Sequence, residues 1–275
     1  MSPQAVQSSL TVMPVYREVP AHTSLEFSAK ATAYCVIVVV YNEGERFIRQ
    51  LREMSKKADL ADIIVAERRT TDGSTSPQWL RSCRVRALLT TDEVGAASGM
   101  RMGLAYALQQ GYSGVIVMDG NGKDAVGVLP EFIRKLDQGV DFVQGSRFMP
   151  GGFHKNTPLS RVVGIRLVMG PLLWLGSGYW FTDAMNGFRG YSRKYLLHPS
   201  VEPLRSCFTH FNVQMYLSLR APALKLRVSE IPVSRVYPDD GTVPTKVTGL
   251  SHQFHVFREM VETVLGRYNP PNRQS

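Results

Sequence analysis

Within six residues, Asp119-Gly-Asn-Gly-Lys-Asp124, the chain carries two carboxylates, one side-chain amide, two glycines and a lysine. Oxygen donors at this density are the hard ligands that Mg2+ or Mn2+ prefers, so Asp119, Asn121 and Asp124 are the candidate metal ligands. A divalent cation held there would act as Lewis acid and template for a diphosphate, neutralising charge as that group leaves. Lys123 would add a point charge to the same anion. Taken alone, the segment also reads as a polar turn after a buried strand. Arg147 and Arg189 have the chemistry to share the anion, because a guanidinium stays charged and offers forked donors to phosphate oxygens. Either arginine also fits an ordinary surface or helix-capping ion pair.

The elements around these residues must bring them to one place. Tyr34 to Val40 is a β-branched run that ends in Tyr41-Asn42-Glu43-Gly44, after which Phe47, Ile48, Leu51 and Met54 recur at helical spacing. Asp62 to Val65 is a second apolar run, broken by the turn-rich stretch Arg68 to Ser76, and Val85 to Leu89 is a third. Met100, Leu104, Ala107 and Leu108 predict a helix ended by Gly111. Gly114 to Met118 then reads as a short, fully buried strand that runs directly into Asp119. That puts the acidic loop at the carboxyl end of a central strand, where open α/β sheets bind their ligands. A helix on Leu129, Phe132, Ile133 and Leu136 and a strand at Val140 to Val143 follow, before Gly145-Ser-Arg147. The alternation implies an α/β, Rossmann-like fold with a mostly parallel central sheet flanked by helices. A last helix is clear from Leu250, Phe254, Phe257, Val261 and Val264.

The bulk composition is that of a globular protein: 275 residues, 44% hydrophobic and 20% charged. A net charge of +9 suggests an anionic partner such as a phosphorylated small molecule, acidic lipid headgroups or nucleic acid. No recognition motif or basic stretch interleaved with aromatics supports nucleic acid, which is not expected as a partner. Cys35, Cys83 and Cys207 form no C-x-x-C pair and fit a reducing compartment. Met1 to Lys30 lacks the pattern of a signal peptide and contains Pro3, Pro14 and Pro20, so the expected location is the cytoplasm.

Several segments together resemble the family 2, GT-A-fold glycosyltransferases, most of all the dolichyl- or polyprenyl-phosphate mannose synthase branch, over roughly residues 34 to 250. Tyr41-Asn42-Glu43 resembles the family's segment bordering the nucleotide base, which makes Tyr41 and Glu43 donor-binding candidates. Alignment of Ile63 to Ser74 puts Glu67 and Arg68 on the two leading aspartates of the family's Asp-Asp-Gly-Ser loop; Glu67 would accept the base N–H, and Arg68 departs from the pattern. Gly95-Ala-Ala-Ser-Gly-Met-Arg101-Met-Gly103 resembles the glycine-rich turn into a helix near the nucleotide, adding Gly95 and Arg101. The Asp-x-Asp metal motif aligns with Asp119-Gly-Asn121, and Lys123 stands where a glutamine is usual, so divalent-ion affinity should be weakened. Gln144-Gly-Ser-Arg147 through Gly152 and Thr182-Asp183-Ala-Met-Asn-Gly187-Phe188-Arg189 match two further synthase segments. The resemblance implies that Asp183 lies near the acceptor: a general base for a hydroxyl, or an orienting group if the acceptor is an already ionised phosphate. Arg235, Gly241 and Lys246 resemble a flap over the diphosphate, with altered spacing, while Phe211-Asn212-Val213-Gln214 lacks the synthase carboxylate, so the donor sugar is not carried over.

Val162, Val163, Ile165, Leu167, Val168, Leu172, Leu173, Trp174 and Leu175, flanked by Lys155, Arg161 and Arg166, have the composition of a helix lying in a headgroup region or of a buried helix covering the sheet. The greasy stretch Leu167 to Phe181, about 15 residues, falls short of the ~20 that span a bilayer. Each basic residue near an anionic bilayer contributes roughly 1 kcal/mol, enough together for reversible contact at a cytoplasmic membrane face.

The expected organisation is an N-terminal arm (1–30), which such arms use for dimer contacts, a nucleotide-sugar-binding half (31–150), an acceptor-side half of the same domain (151–268) and a tail (269–275). The expected activity is inverting transfer of a sugar from a nucleotide-diphosphate sugar to a polyprenyl phosphate. Two alternatives stand beside it: transfer to a sugar hydroxyl of a surface polysaccharide or lipid-linked glycan, and a catalytically silent sugar-nucleotide binder, suggested by Arg68, Asn121 and Lys123.

Overall fold

The computed structural model describes residues 18–238 and 249–271. In chain order the strands are β1 (His22–Glu26), β2 (Tyr34–Val40), β3 (Asp62–Glu67), β4 (Val85–Thr91), β5 (Gly114–Asp119), β6 (Phe142–Ser146), β7 (Phe153–Lys155), β8 (Arg189–Ser192), β9 (Val228–Pro232) and β10 (Ser234–Val236). The helices are α1 (Glu45–Ser55), α2 (Pro77–Ser82), α3 (Ala96–Gln109), α4 (Leu129–Asp137), α5 (Leu159–Gly164), α6 (Gly170–Ser177), α7 (Arg193–Leu196), α8 (Asn212–Ala223) and α9 (Gly249–Val264). Eight strands form one sheet in the order β1-β4-β3-β2-β5-β8-β6-β9, and β7 pairs with β10 in a small parallel ribbon.

The centre is parallel, as the β-branched runs predict: β4, β3, β2 and β5 pair in parallel, and their side chains are buried on both faces. Cys35 and Ile37 point to one side, with α3, α6 and α8, while Val36, Val38 and Val40 point to the other, with α1 and α4. This is the α/β, GT-A-like architecture, with two features that patterning did not give. β8 inserts antiparallel between β5 and β6, so the sheet is mixed and its far half draws strands from the acceptor-side segment. Residues expected in the N-terminal arm form β1, an antiparallel edge strand on β4. His-Thr-Ser-Leu-Glu is short and mostly polar, and an edge strand needs only one buried side and one bonded neighbour, so it leaves little periodicity to read.

The strand expected from Val140 begins two residues later, at Phe142. The apolar stretch expected at Leu167 to Phe181 belongs to a helical run that starts earlier, Leu159–Ser177, 19 residues with mean hydropathy 1.4. It is long and apolar enough to cross a membrane by length and composition, and only 22% of it is buried. A π-turn over Ile165–Met169 joins α5 to α6 just before Pro171. Proline lacks the N–H of a regular helical bond and its ring crowds the preceding turn, which a widened turn relieves.

Candidate active site

The carboxyl ends of β2, β3 and β5 open into a cleft of about 690 Å³, a volume suited to a nucleotide-sized ligand. The loops at its floor are tied to one another. Asn42 Oδ1 accepts the Thr71 N–H at 2.8 Å, and Asp72 Oδ2 accepts that of Gly44 at 2.7 Å. Gln50 bridges the acidic loop, donating to Asp119 O at 2.9 Å and accepting from Gly122 N at 2.7 Å.

Tyr41, Glu43, Arg46, Arg68, Asp119, Asn121, Lys123, Arg147, Arg189 and Arg235 all line this cleft. Arg68, an apparent departure in sequence, stacks its guanidinium 4.4 Å from the centre of the Tyr41 ring, a cation–π contact at the cleft wall. Arg46 stands in the first turn of α1 and pairs with Glu43 at 3.0 Å. The sequence reading missed it, though its position just after the Tyr41-Asn42-Glu43-Gly44 loop was a usable signal.

Around the acidic loop the arrangement differs from the expected ligand set. Asp119 Oδ2 accepts from Arg235 Nη2 at 3.2 Å and from Asn121 Nδ2 at 3.1 Å. Asp124, expected as a metal ligand, is fully buried, and both of its oxygens lie 3.2 Å from Arg235 Nη1. The guanidinium therefore bridges the two carboxylates. β10 carries it there: its partner β7 and a bridge between Asp124 and Arg235 set the backbone register. Burial pushes Asp124 above its ordinary range despite Arg235. For Asp119, desolvation is outweighed by Arg235 and Lys123, which hold its carboxyl below the usual range. Lys123 is buried, its ammonium 5.1 Å from the Tyr237 ring centre. Burial, with Arg235 adding to it, lowers its pKa to about 8.

Arg147 and Asp183 form a second buried unit. Asp183 is 0% exposed and accepts from Arg147 Nε at 2.6 Å, Nη2 at 2.8 Å and the Arg147 backbone N–H at 3.1 Å. Both Asp183 oxygens are thus taken up by charge-assisted bonds from Arg147. Glu230, which the sequence reading passed over, accepts from the Thr182 backbone and hydroxyl at 3.0 Å and so fixes the turn that carries Asp183.

Four of the expected donor-binding residues are elsewhere or otherwise engaged. Glu67 is buried and spends its carboxylate on Thr70 N, Thr75 Oγ1 and Thr90 Oγ1, within its own loop and the neighbouring strand. Gly95 caps α3 with φ +131°, and a Cβ there would stand 2.4 Å from Thr209 O; its glycine serves helix–loop packing. Arg101 is buried away from the cleft, bonded to Leu204 O, Phe208 O, Glu93 and the Glu18 carbonyl. Arg189 reaches the cleft wall but gives its donors to the Asn186, Gln214 and Ala184 carbonyls. The buried charges of Glu67, Arg101 and Arg189 find their partners in backbone groups, threonine hydroxyls and Glu93, which a sequence alignment does not display. Lys246 and Gly241 lie outside the described residues.

A divalent cation fits this loop on Asp119, with the diphosphate supplying most of an oxygen shell, the usual arrangement for Mg2+ at phosphate sites. Asp124 would join only if Arg235 withdrew.

Comparison with known proteins agrees with this architecture. The chain is similar to the undecaprenyl-phosphate mannosyltransferase of Micrococcus luteus, 27% identical over 210 residues that make up 73% of this chain and 82% of that protein. It is 26% identical over 239 residues to the polyprenol monophosphomannose synthase of Mycolicibacterium smegmatis, covering 84% and 87% of the two chains. The fold matches glucosyl-3-phosphoglycerate synthase from Mycobacterium tuberculosis, crystallised with Mn2+, UDP-glucose and phosphoglyceric acid, with a TM-score of 0.61 at 16% identity over 87% of this chain and 81% of that one. Residues 35–198 match the sequence model of glycosyl transferase family 2. With more than half of its length inside that match, the chain belongs to glycosyl transferase family 2.

Proposed function

We propose that this protein transfers a sugar from a nucleotide-diphosphate sugar to a polyprenyl phosphate, with inversion at the anomeric carbon, at the cytoplasmic face of a membrane. The observation that carries the lipid acceptor is the cleft wall. Arg161, Ile165, Val168 and Met169 line the cleft from the run Leu159–Ser177, with Pro158 just before it. Leu159, Leu167 and Leu175 of the same run are 77%, 71% and 69% exposed, with Trp174 and Trp180 half exposed beside them. An apolar surface continuous with the wall of a polar cleft suits an acceptor with a phosphate head and a hydrocarbon tail.

In this reading the nucleotide rests against Tyr41 and Arg68, and its diphosphate against Asp119, Lys123 and Arg235. A cation bound at Asp119 supplies Lewis-acid stabilisation to the diphosphate. An oxygen of the acceptor phosphate attacks the anomeric carbon, the bond from that carbon to the β-phosphate oxygen breaks, and the nucleoside diphosphate leaves with the electron pair. A phosphate is already ionised at neutral pH, so the step needs no general base. That agrees with an Asp183 committed to Arg147, whose guanidinium is held rigid to meet a phosphate. Lys123, with its lowered pKa, gains a counter-charge when the diphosphate arrives.

The test is nucleoside diphosphate release by the purified protein from a panel of UDP-, GDP-, CDP- and dTDP-sugars, with and without Mn2+ and polyprenyl phosphate. Release that requires polyprenyl phosphate and is lost in Asp119→Ala supports the transferase, and the anomeric configuration of the product by NMR checks inversion. Nucleotide binding with no release from any donor would overturn it in favour of a silent binder.

A further inference from the structure

Beside the cleft wall to which His210 belongs, three side chains converge that the transfer reaction does not use. His210 lies just before α8, and His255 and Glu259 stand one turn apart on α9. His210 Nδ1 is 3.8 Å from Glu259 Oε1, and His255 Nε2 is 3.5 Å from the same oxygen. All three ligand atoms fall within 4.8 Å of one another. The imidazoles meet edge to face with ring centres 4.8 Å apart.

Hydrogen bonding does not account for the cluster. Glu259 is only 2% exposed, yet its Oε2 has no hydrogen-bond partner, and the buried His255 Nε2 has none either. Leaving buried polar atoms unpaired costs about 1–3 kcal/mol each, so their convergence calls for a partner. Nor does the cluster belong to the Asp119 loop, whose donors are oxygens only.

We propose that His210, His255 and Glu259 bind a transition-metal ion of the Zn2+ class, separate from the divalent cation of the diphosphate site. Two imidazoles and one carboxylate are a recurrent zinc donor set, and imidazole nitrogen favours such ions over Mg2+. Tetrahedral ligands at ~2.0–2.1 Å from zinc stand roughly 3.3–3.5 Å apart, so a metal would draw the two nitrogens up to a few tenths of an ångström closer to Glu259 Oε1 and toward each other from within 4.8 Å. His210 Nδ1 would exchange its present 3.0 Å contact with Thr209 Oγ1 for the metal. The ion would clip α9 to the segment that opens α8. Val256 and Phe257, beside His255, line the cleft together with His210, so the clip fixes that wall. Three protein ligands leave a fourth position for water or a ligand group.

The experiment uses the full chain without a histidine tag: zinc stoichiometry by titration against a chromophoric chelator, with thermal unfolding followed in parallel. One zinc equivalent is expected in the wild type and in Asp119→Ala, with excess Mg2+ failing to compete, and none in Glu259→Gln or His255→Ala. At zinc about 100-fold above its Kd the wild-type Tm should rise by about 5–10 °C, and the two variants should not respond. Co2+ should give the intense visible absorption of a four-coordinate site in the wild type and in Asp119→Ala, and the wild-type spectrum is a readout that needs no variant to fold. Equal zinc binding in wild type and Glu259→Gln, binding lost on Asp119→Ala instead, or a wild type that takes up no zinc would each overturn the proposal. None of these readouts depends on transferase activity, so their failure is distinguishable from failure of the proposed reaction.

Discussion

Replacing Asp183 by Asn separates the two roles that its sequence position allows. The change keeps the side-chain shape but removes the charge opposite Arg147, whose Nε and Nη2 approach within 2.6 and 2.8 Å of it, and turns one acceptor oxygen into a donor facing donors. Both side chains are nearly or fully buried, 3% and 0% exposed, so solvent cannot screen the loss. Breaking such a buried pair from one side costs about 3–5 kcal/mol, since the surviving guanidinium is left uncompensated. For a domain of this size each kcal/mol lowers Tm by about 2–4 °C, giving a drop of roughly 6–20 °C. Thermal unfolding of the wild type, Asp183→Asn, Arg147→Met and the double variant closes a double-mutant cycle. A coupling of about 1.5–3 kcal/mol is expected, with the double variant less destabilised than the singles' sum. If Asp183→Asn unfolded within about 1 °C of the wild type while catalysis lost its acidic limb, Asp183 would be a free base and the orienting role would be refuted.

Arg235→Ala removes the cation between Asp119 and Asp124, so Mn2+ should bind the acidic loop about tenfold or more tightly, because affinity follows ligand charge. Isothermal titration checks this, and unchanged affinity would show that the guanidinium does not occupy the cation's place. Lys123, with its pKa lowered to about 8, should take up a proton when a nucleoside diphosphate binds near pH 8, since the anion raises that pKa toward its ordinary value. Binding enthalpies measured in buffers of different ionisation heat should reveal up to about half a proton taken up, absent in Lys123→Met; no buffer dependence in the wild type would remove Lys123 from the diphosphate site. Leu167→Asp with Leu175→Asp should weaken binding to anionic vesicles by at least about 100-fold, from about 1.5–3 kcal/mol of apolar transfer at each leucine, while leaving Tm near wild type. Equal vesicle co-sedimentation would mean that this face does not meet the membrane.

The chain by itself determined the parallel centre of the sheet and the address of the acidic loop. Those follow from local patterns: a β-branched run buried on both faces, a helix-period run after it, and a strand that ends directly in Asp119. It also carried the motif order that family membership rests on. Tertiary structure decided which charges meet. Arg147 and Asp183 are 36 residues apart, and Arg235 and Asp124 are 111 apart. No periodicity links such positions, because the register of β7 with β10 and the insertion of β8 set their distance. The same holds for Arg101 and Glu67, which the family resemblance offers to a ligand and packing assigns to backbone, hydroxyl and carboxylate partners. A buried charge must be satisfied by whatever donors or acceptors the fold brings within about 3 Å. Only the folded chain fixes which those are.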